Sequence, residues 1–329
     1  MAGDHKQPFL VRDMGSFHVG GEMVTLSGLP PRQRVSTPGG PVHPVDPNGE
    51  MAVGQMYAQY IRLANPRGPY PLLMWHGGGM TGANWESTPD GREGWQGFFL
   101  RAGLDVYVSD AVERGRSGFA PSPQVYPKAP FFRTAQEAWE EVFRFGPMGS
   151  YAPDPALRRP YADSRFPLAD FETFMKGCVP RWSCNDARTQ AAYDALVSRV
   201  GACLLLMHSQ GGNFGFNAAL HAPDTVKAVI ALEPSGAPDP ARADASRLAH
   251  VPHLFVWGDH LDGSPFWVMY RPNVERWAEA LAKAGCAVEW IDLPARGIAG
   301  NSHALMMDDN SDLIAGMVRD WIAARGFLV

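Results

Sequence analysis

Cysteine is scarce in this chain, with four in 329 residues, and so is any excess of one sign of charge, the formal net charge being only −5. No long basic run appears, which argues against nucleic acid and anionic membrane surfaces as partners. No stretch reaches the apolar length that a membrane-spanning helix requires. Met1 to Gln7 lack the apolar run of a secretory signal. That start fits a cytoplasmic protein, or a periplasmic or secreted one whose leader lies outside this sequence; the second reading is preferred. Internal repeats and low-complexity segments are missing, as are metal-ligand spacings and a dinucleotide fingerprint. No metal or organic cofactor is therefore expected.

The four cysteines do not behave as a set. Cys203 sits in a strongly apolar run and reads as a buried free thiol. Cys286 follows Ala-Gly at a helix-to-strand junction. Cys178 and Cys184 are close enough to close a small disulfide loop, which would require an oxidising compartment. Both states of that pair stay open.

What is present suffices for a sizeable core: 45% of residues are hydrophobic and 11% aromatic, which rules out disorder. The length fits one α/β sheet with an insertion. Apolar runs alternate with helical patterns, so the sheet should be mostly parallel and flanked by helices. Strands are expected at 16–26, 55–63, 71–75, 104–108, 202–207, 226–232, 253–257 and 287–293. Helices are expected at 94–102, 187–200, about 211–220 and 273–284, with a last one beginning near a Ser311 cap. The apolar stripe of that last helix is Leu313, Ile314, Met317, Val318, Trp321 and Ile322. Residues 119–185 break the pattern and are rich in Pro, Phe, Trp and Arg. A structureless loop of that length is improbable in a compact domain. The segment reads as a cap inserted into a core made of 1–118 and 186–329, with a helical piece at 134–145.

The sharpest motif is Leu204-Leu205-Leu206-Met207-His208-Ser209-Gln210-Gly211-Gly212. A strand runs into a serine and then into glycines that open a helix, the context of a nucleophile elbow. Gly211 meets the need for a small residue two after the serine. Met207 stands where glycine is usual two before it. The bland alternative is an N-cap serine. A serine hydroxyl needs a base, and His303, in the Gly-rich loop Gly297 to Ser302 after the last strand, has the right chain order and pKa range. A lone loop histidine is otherwise more often a surface residue. An acid must fix its tautomer, and two places compete: Glu233 at the end of one strand, and Asp259 or Asp262 after the next. Spacing favours Glu233 only slightly. For the oxyanion, His76-Gly77-Gly78-Gly79 ends an early strand, and donors are assigned to the N–H groups of Gly78 and Gln210. The Asp110 to Ser117 turn reads as structural, with Arg114 or Arg116 paired to an acid rather than touching substrate. His208, Trp85, Phe119 and Phe214 are candidate pocket residues, and Phe131, Phe132, Trp139, Trp182 and Trp75 are further aromatics that plain packing would equally explain.

Taken together, these residues resemble a bacterial, periplasmic-type carboxylesterase family of the α/β-hydrolase fold with a Ser–His–Glu triad. The resemblance runs through Gly20-Gly21, Val24 to Pro30, Asp46 to Gly49, Thr88 to Arg92, Phe143 to Pro147, His208-Ser209-Gln210, Glu233-Pro234, Gly258-Asp259-His260 and Gly300 to His303. It implies Ser209 as nucleophile, His303 as base and Glu233 as acid. The chain departs from the family at Gly78 and Gly79, where a member carries adjacent cysteines, so this loop should be more flexible. The cap also matches poorly, and no substrate preference follows. A small-molecule ester is the expected partner, and a homodimer is compatible with the resemblance. A lactonase, amidase or carbamate hydrolase with the same triad is the alternative reading. A non-catalytic binding protein on this scaffold is disfavoured, because all three triad candidates are present.

Overall fold

The computed structural model describes residues 8–329, and the polar start Met1–Gln7 lies outside the described residues. The chain opens with two long strands, β1 (Val11–Leu26) and β4 (Gly49–Leu63), paired antiparallel. The Pro/Gly-rich stretch between them holds a small hairpin, β2 (Arg32–Val35) and β3 (Val42–Val45). The Gly28 and Asp46–Gly49 motifs tie its two ends together. Asn48 donates to the carbonyl of Leu29 at 2.9 Å and accepts from its N–H at 2.9 Å.

The remaining strands are β5 (Leu72–Trp75), β6 (Val106–Asp110), β7 (Cys203–His208), β8 (Val226–Leu232), β9 (His253–Trp257) and β10 (Val288–Asp292). They form one eight-stranded sheet in the order β1-β4-β6-β5-β7-β8-β9-β10, parallel from β6 to β10. This is an α/β-hydrolase architecture. Side chains alternate across each strand, so one face of the sheet buries Leu72, Met74, Leu204, Leu206 and Ile230, and the other buries Leu73, Trp75, Leu205, Met207 and Val229.

Helices cover both faces: α1 (Ala83–Glu86), α2 (Trp95–Ala102), α3 (Ala135–Glu137), α4 (Phe171–Lys176), α5 (Asp186–Val200), α6 (Gln210–His221), α7 (Pro265–Lys283) and α8 (Ser311–Ala324). Two expectations about helix ends need correction. Asn310, not Ser311, is the N-cap residue of α8. The stripe of that helix also excludes Leu313, which is 52% exposed. Helix α7 starts at Pro265, eight residues before the expected 273, because Ser264 caps it by accepting from the N–H of Trp267 at 3.3 Å. A proline at N1 suits a helix start, while Pro272 inside the helix masked the earlier turns in the sequence.

Residues 119–185 contribute no strand to either sheet. Short helical pieces fill them, including a π-helical turn at Ala138–Val142 that continues α3. Their aromatics Trp139, Phe143, Phe145, Phe166, Phe171 and Phe174 are buried in the same core as β5, β7 and α8. Cys178 and Cys184 are free thiols, so the disulfide loop is absent; Cys178 is half-buried near the Met80 sulfur and Cys184 is exposed. Among the described residues, no helix is long and apolar enough to cross a membrane.

Candidate active site

Strand order reverses at β5: the chain moves from β5 to β6 on one side and later returns to β7 on the other. Loops leaving the carboxyl ends of such strands diverge and open a crevice, the usual binding position in a sheet of this kind. The His76–Gly79 loop leaves β5 and Ser209 leaves β7, at that point.

Ser209 joins β7 to α6 with φ 53° and ψ −118°, a conformation that costs a non-glycine residue free energy and persists only where its surroundings enforce it. Its N–H donates to Leu232 O and its carbonyl accepts from Gly212 and Ser235, each at 3.0 Å. Gly211 is required because a Cβ there would sit 2.9 Å from His76 O and 3.1 Å from Trp75 O. Met207, anomalous in the sequence, finds its room across the turn. A Cβ at Gly215 would run into Met207 Sδ, so the glycine on α6 supplies the space that a small residue at 207 would otherwise leave.

His303 lies next to this turn. His208 Nε2 donates to the carbonyl of His303 at 2.8 Å, and the two rings are 4.3 Å apart. Because that nitrogen of His208 must carry a proton, its Nδ1 is bare, and burial beside His303 keeps the ring well below the usual imidazole pKa. His208 is thus a neutral tether between β7 and the histidine loop. His303 itself donates from Nδ1 to Glu233 Oε2 at 2.6 Å, which leaves its Nε2 without a proton. Trp267 and Phe143 close over the ring at 4.4 and 5.3 Å.

Glu233 follows β8 with φ 41° and is completely buried. Its other oxygen, Oε1, accepts from Gly258 N–H and from Arg144 Nη2, both at 2.6 Å. A side chain at 258 is excluded, since its Cβ would lie 2.8 Å from both Glu233 Oε1 and Asn301 O. Arg144, at φ 57°, also donates to Asp259 O at 2.7 Å. Burial first, then the guanidiniums of Arg144 and Arg133, hold His303 well below the ordinary imidazole range, so it is neutral at neutral pH. Nothing in the sequence marked Arg144 for this role except its place in the Phe143 to Pro147 match.

Asp259 points elsewhere. Its carboxylate accepts from the N–H groups of His260 at 2.7 Å and Gly300 at 2.9 Å, fixing loops rather than the imidazole. Asp163, Asp259 and His260 bring one ligand-type atom each within 4.8 Å, and His260 Nε2 already bonds Asp163 at 2.9 Å. Asp262 lies in the short 3₁₀ turn at Leu261–Gly263.

The glycine loop is pinned on several sides. Gly77 O accepts from His76 Nδ1 at 2.8 Å and from Arg114 Nη1 at 3.0 Å. His76 Nε2 in turn accepts from Ala111 N–H at 2.9 Å, and burial with Arg114 nearby lowers its pKa to about 4. Arg133 Nη1 donates to Gly78 O at 3.2 Å, and Val179 N–H to Gly79 O at 2.9 Å. Arg116 pairs with Asp110 at 2.8 Å as expected. Arg114 does not pair with an acid: it is buried and donates from Nη2 to Gln210 Oε1 at 2.7 Å. One guanidinium therefore fixes the spacing between the Gly77–Gly78 backbone and Gln210, the two places assigned as oxyanion donors.

The aromatic candidates scatter. Trp85 packs on Trp95 in the core at 6.0 Å, and Trp75 stacks on Tyr193 at 3.9 Å, with Phe214 5.7 Å from the same tyrosine. Trp139 is buried, its Nε1 donating to Ser150 Oγ at 2.9 Å, while Phe131 and Phe132 are exposed. Phe119 lies on the buried Trp182 at 4.4 Å and lines a groove of about 500 Å³ with Leu26, Leu29 and Met51, apart from Ser209.

With this geometry in view, relatives are informative. No family model matches the sequence. A fungal protein named "Probable secreted lipase phiG" (Fungal sp., strain ATCC 74256) is 30% identical over 321 residues, spanning 81% of this chain and 85% of its own. The chain belongs to the lipase and esterase family of α/β-hydrolases. A novel bacterial esterase solved at atomic resolution superposes on it with a TM-score of 0.81 and 32% identity, covering 97% of each chain. The family's likeness therefore extends through 119–185 as well as the sheet.

Proposed function

We propose that this protein is a serine carboxylic ester hydrolase working through an acyl-enzyme, with Ser209 as nucleophile, His303 as base and Glu233 as the orienting acid. One observation carries the reading above others. The Nδ1–Oε2 contact of 2.6 Å selects the imidazole tautomer whose Nε2 accepts a proton, on a loop tethered to the residue before a strained serine. The lipase and esterase relatives support the same reaction class.

In the first half-reaction Ser209 Oγ attacks the carbonyl carbon and its proton passes to His303. The oxyanion is held by the N–H groups of Gly78 and Gln210, the latter at the start of a helix where backbone donors are unsatisfied. His303, now charged, is stabilised by Glu233 and returns the proton to the leaving alcohol. Water then enters, gives its proton to His303, and releases the acid. Residues 119–185 act as the cap in this reading, since Arg133 and Val179 reach the glycine loop from it. The substrate is a small or an apolar or aromatic ester, and the compartment is that of the secreted fungal relative.

The test is a p-nitrophenyl ester panel of increasing acyl length on wild type, Ser209→Ala, Glu233→Gln and Asp259→Asn. Wild type should turn over, Ser209→Ala should be inert, and Glu233→Gln should lose about 10³-fold or more in kcat. Asp259→Asn should lose far less. Equal losses in the two acid variants would remove Glu233 from the triad.

A further inference from the structure

Three guanidiniums converge on the glycine loop. Arg114 donates to Gly77 O and Arg133 to Gly78 O. Arg181 lies across Gly78 so closely that a Cβ there would be 2.8 Å from its Nη1 and 3.6 Å from its Cζ, with Gln210 Oε1 at 3.3 Å. Among the described residues one carboxylate ion-pairs with this group, Glu137 with Arg133 at 3.2 Å. Other buried or half-buried arginines are matched: Arg144 with Glu233, Arg116 with Asp110, Arg92 with Asp90. Arg181 is half-buried and has no such partner at ion-pair distance: Asp186 acts on its charge only from further away, and its Nε is buried without any hydrogen-bond acceptor. It is held by its backbone pairing to Phe131 and by the face of that ring, 5.4 Å from its Cζ.

A buried donor without an acceptor is costly, and a planar guanidinium with open donors is the group best shaped for a carboxylate. We propose that Arg181, supported by Arg133, binds a carboxylate carried by the substrate, so that the enzyme's substrates are esters bearing a second, ionised carboxyl group. The proposal rests on the esterase reading and adds its substrate class. The assigned oxyanion donor is the N–H of Gly78 itself, so the anionic group lies within a few carbons of the reacting carbonyl. The bonds broken and made are those of ordinary ester hydrolysis. The carboxylate is a handle and takes no part in them. Arg114, fully buried and engaged at both ends, holds the loop and does not contact the ligand.

The decisive experiment compares monomethyl glutarate with dimethyl glutarate by pH-stat, in wild type, Arg181→Gln and Arg181→Lys, with glutarate binding followed by calorimetry on Ser209→Ala and on Ser209→Ala/Arg181→Gln. Wild type should favour the half-ester by about tenfold or more in kcat/KM at low salt, less as salt rises. That ratio should collapse towards one in Arg181→Gln and recover in part in Arg181→Lys, and glutarate should bind only where Arg181 is intact. A wild-type ratio of one or below overturns the proposal. So does an equal loss on both esters in Arg181→Gln, which would mark Arg181 as support for the oxyanion alone. If neither glutarate ester is hydrolysed while p-nitrophenyl esters are, the substrate-class proposal is overturned and the esterase reading stands. If no ester is hydrolysed, the esterase reading fails, and Arg181-dependent glutarate binding then upholds the anion site while its absence overturns it.

Discussion

At the scale of single residues, the site is organised by charge partition around Glu233. One oxygen fixes the His303 tautomer while the other is committed to Arg144 and Gly258. Arg144 therefore sets how strongly the imidazole attracts a proton. In Arg144→Gln the positive charge is gone and the full carboxylate faces His303, so the pKa of His303 rises. Activity falls as pH drops through that pKa, so the acid limb of kcat/KM should move to higher pH than in wild type. Thermal or denaturant unfolding should show a loss of about 3–5 kcal/mol for breaking a buried pair. An unmoved or oppositely moved acid limb would show that Arg144 has only a structural role.

At the scale of elements, the turn from β7 to α6 shows what the sequence made legible and what it did not. Serine, following glycines and chain order single out Ser209 and His303 as candidates, because a strand–turn–helix has local requirements. The choice between Glu233 and Asp259 was not decided by spacing, because both end adjacent parallel strands. Only three-dimensional contacts show that Asp259 serves the loop backbone instead. The contacts of Arg114 were out of reach for a related reason: it acts through a backbone carbonyl and an amide distant in sequence, which no local pattern records. The aromatics signalled burial without saying where, and most belong to the core. Met207, which departs from the small residue usual there, is accommodated by Gly215 in the second turn of α6. Gly215→Ala should accordingly destabilise by about 1–3 kcal/mol through overpacking despite the better helix propensity of alanine. Adding Met207→Ala should recover part of that loss in denaturant melts; strict additivity of the two changes would refute the coupling.

At the scale of the whole molecule, distant segments are fastened to the histidine loop. Asp308 accepts from Asn301 Nδ2, Ser302 N–H and Ser302 Oγ at 2.9, 2.9 and 2.7 Å. Arg92, itself paired with Asp90, donates to the carbonyls of Asp308 and Met307 at 2.9 and 2.7 Å. The Thr88 to Arg92 match thus has a structural purpose: it anchors the turn ahead of α8. Burial raises Asp308 from its ordinary 3.8 to about 7. The folded state then holds this proton more tightly than the unfolded chain. Its stabilising contribution is full below 3.8 and disappears as pH rises through about 7. Asp308→Asn should flatten the decline in unfolding free energy across that window, measured by denaturant titration at several pH values. An unchanged decline would assign it to other groups.

The most direct test of the central claim is the covalent state of Ser209 during turnover. Wild type mixed with p-nitrophenyl butyrate and quenched in acid should show, by intact mass and peptide mapping, a butyryl group on the peptide that contains Ser209, with none in Ser209→Ala. An acyl group mapped to another residue, or steady hydrolysis by Ser209→Ala at the wild-type rate, would contradict it.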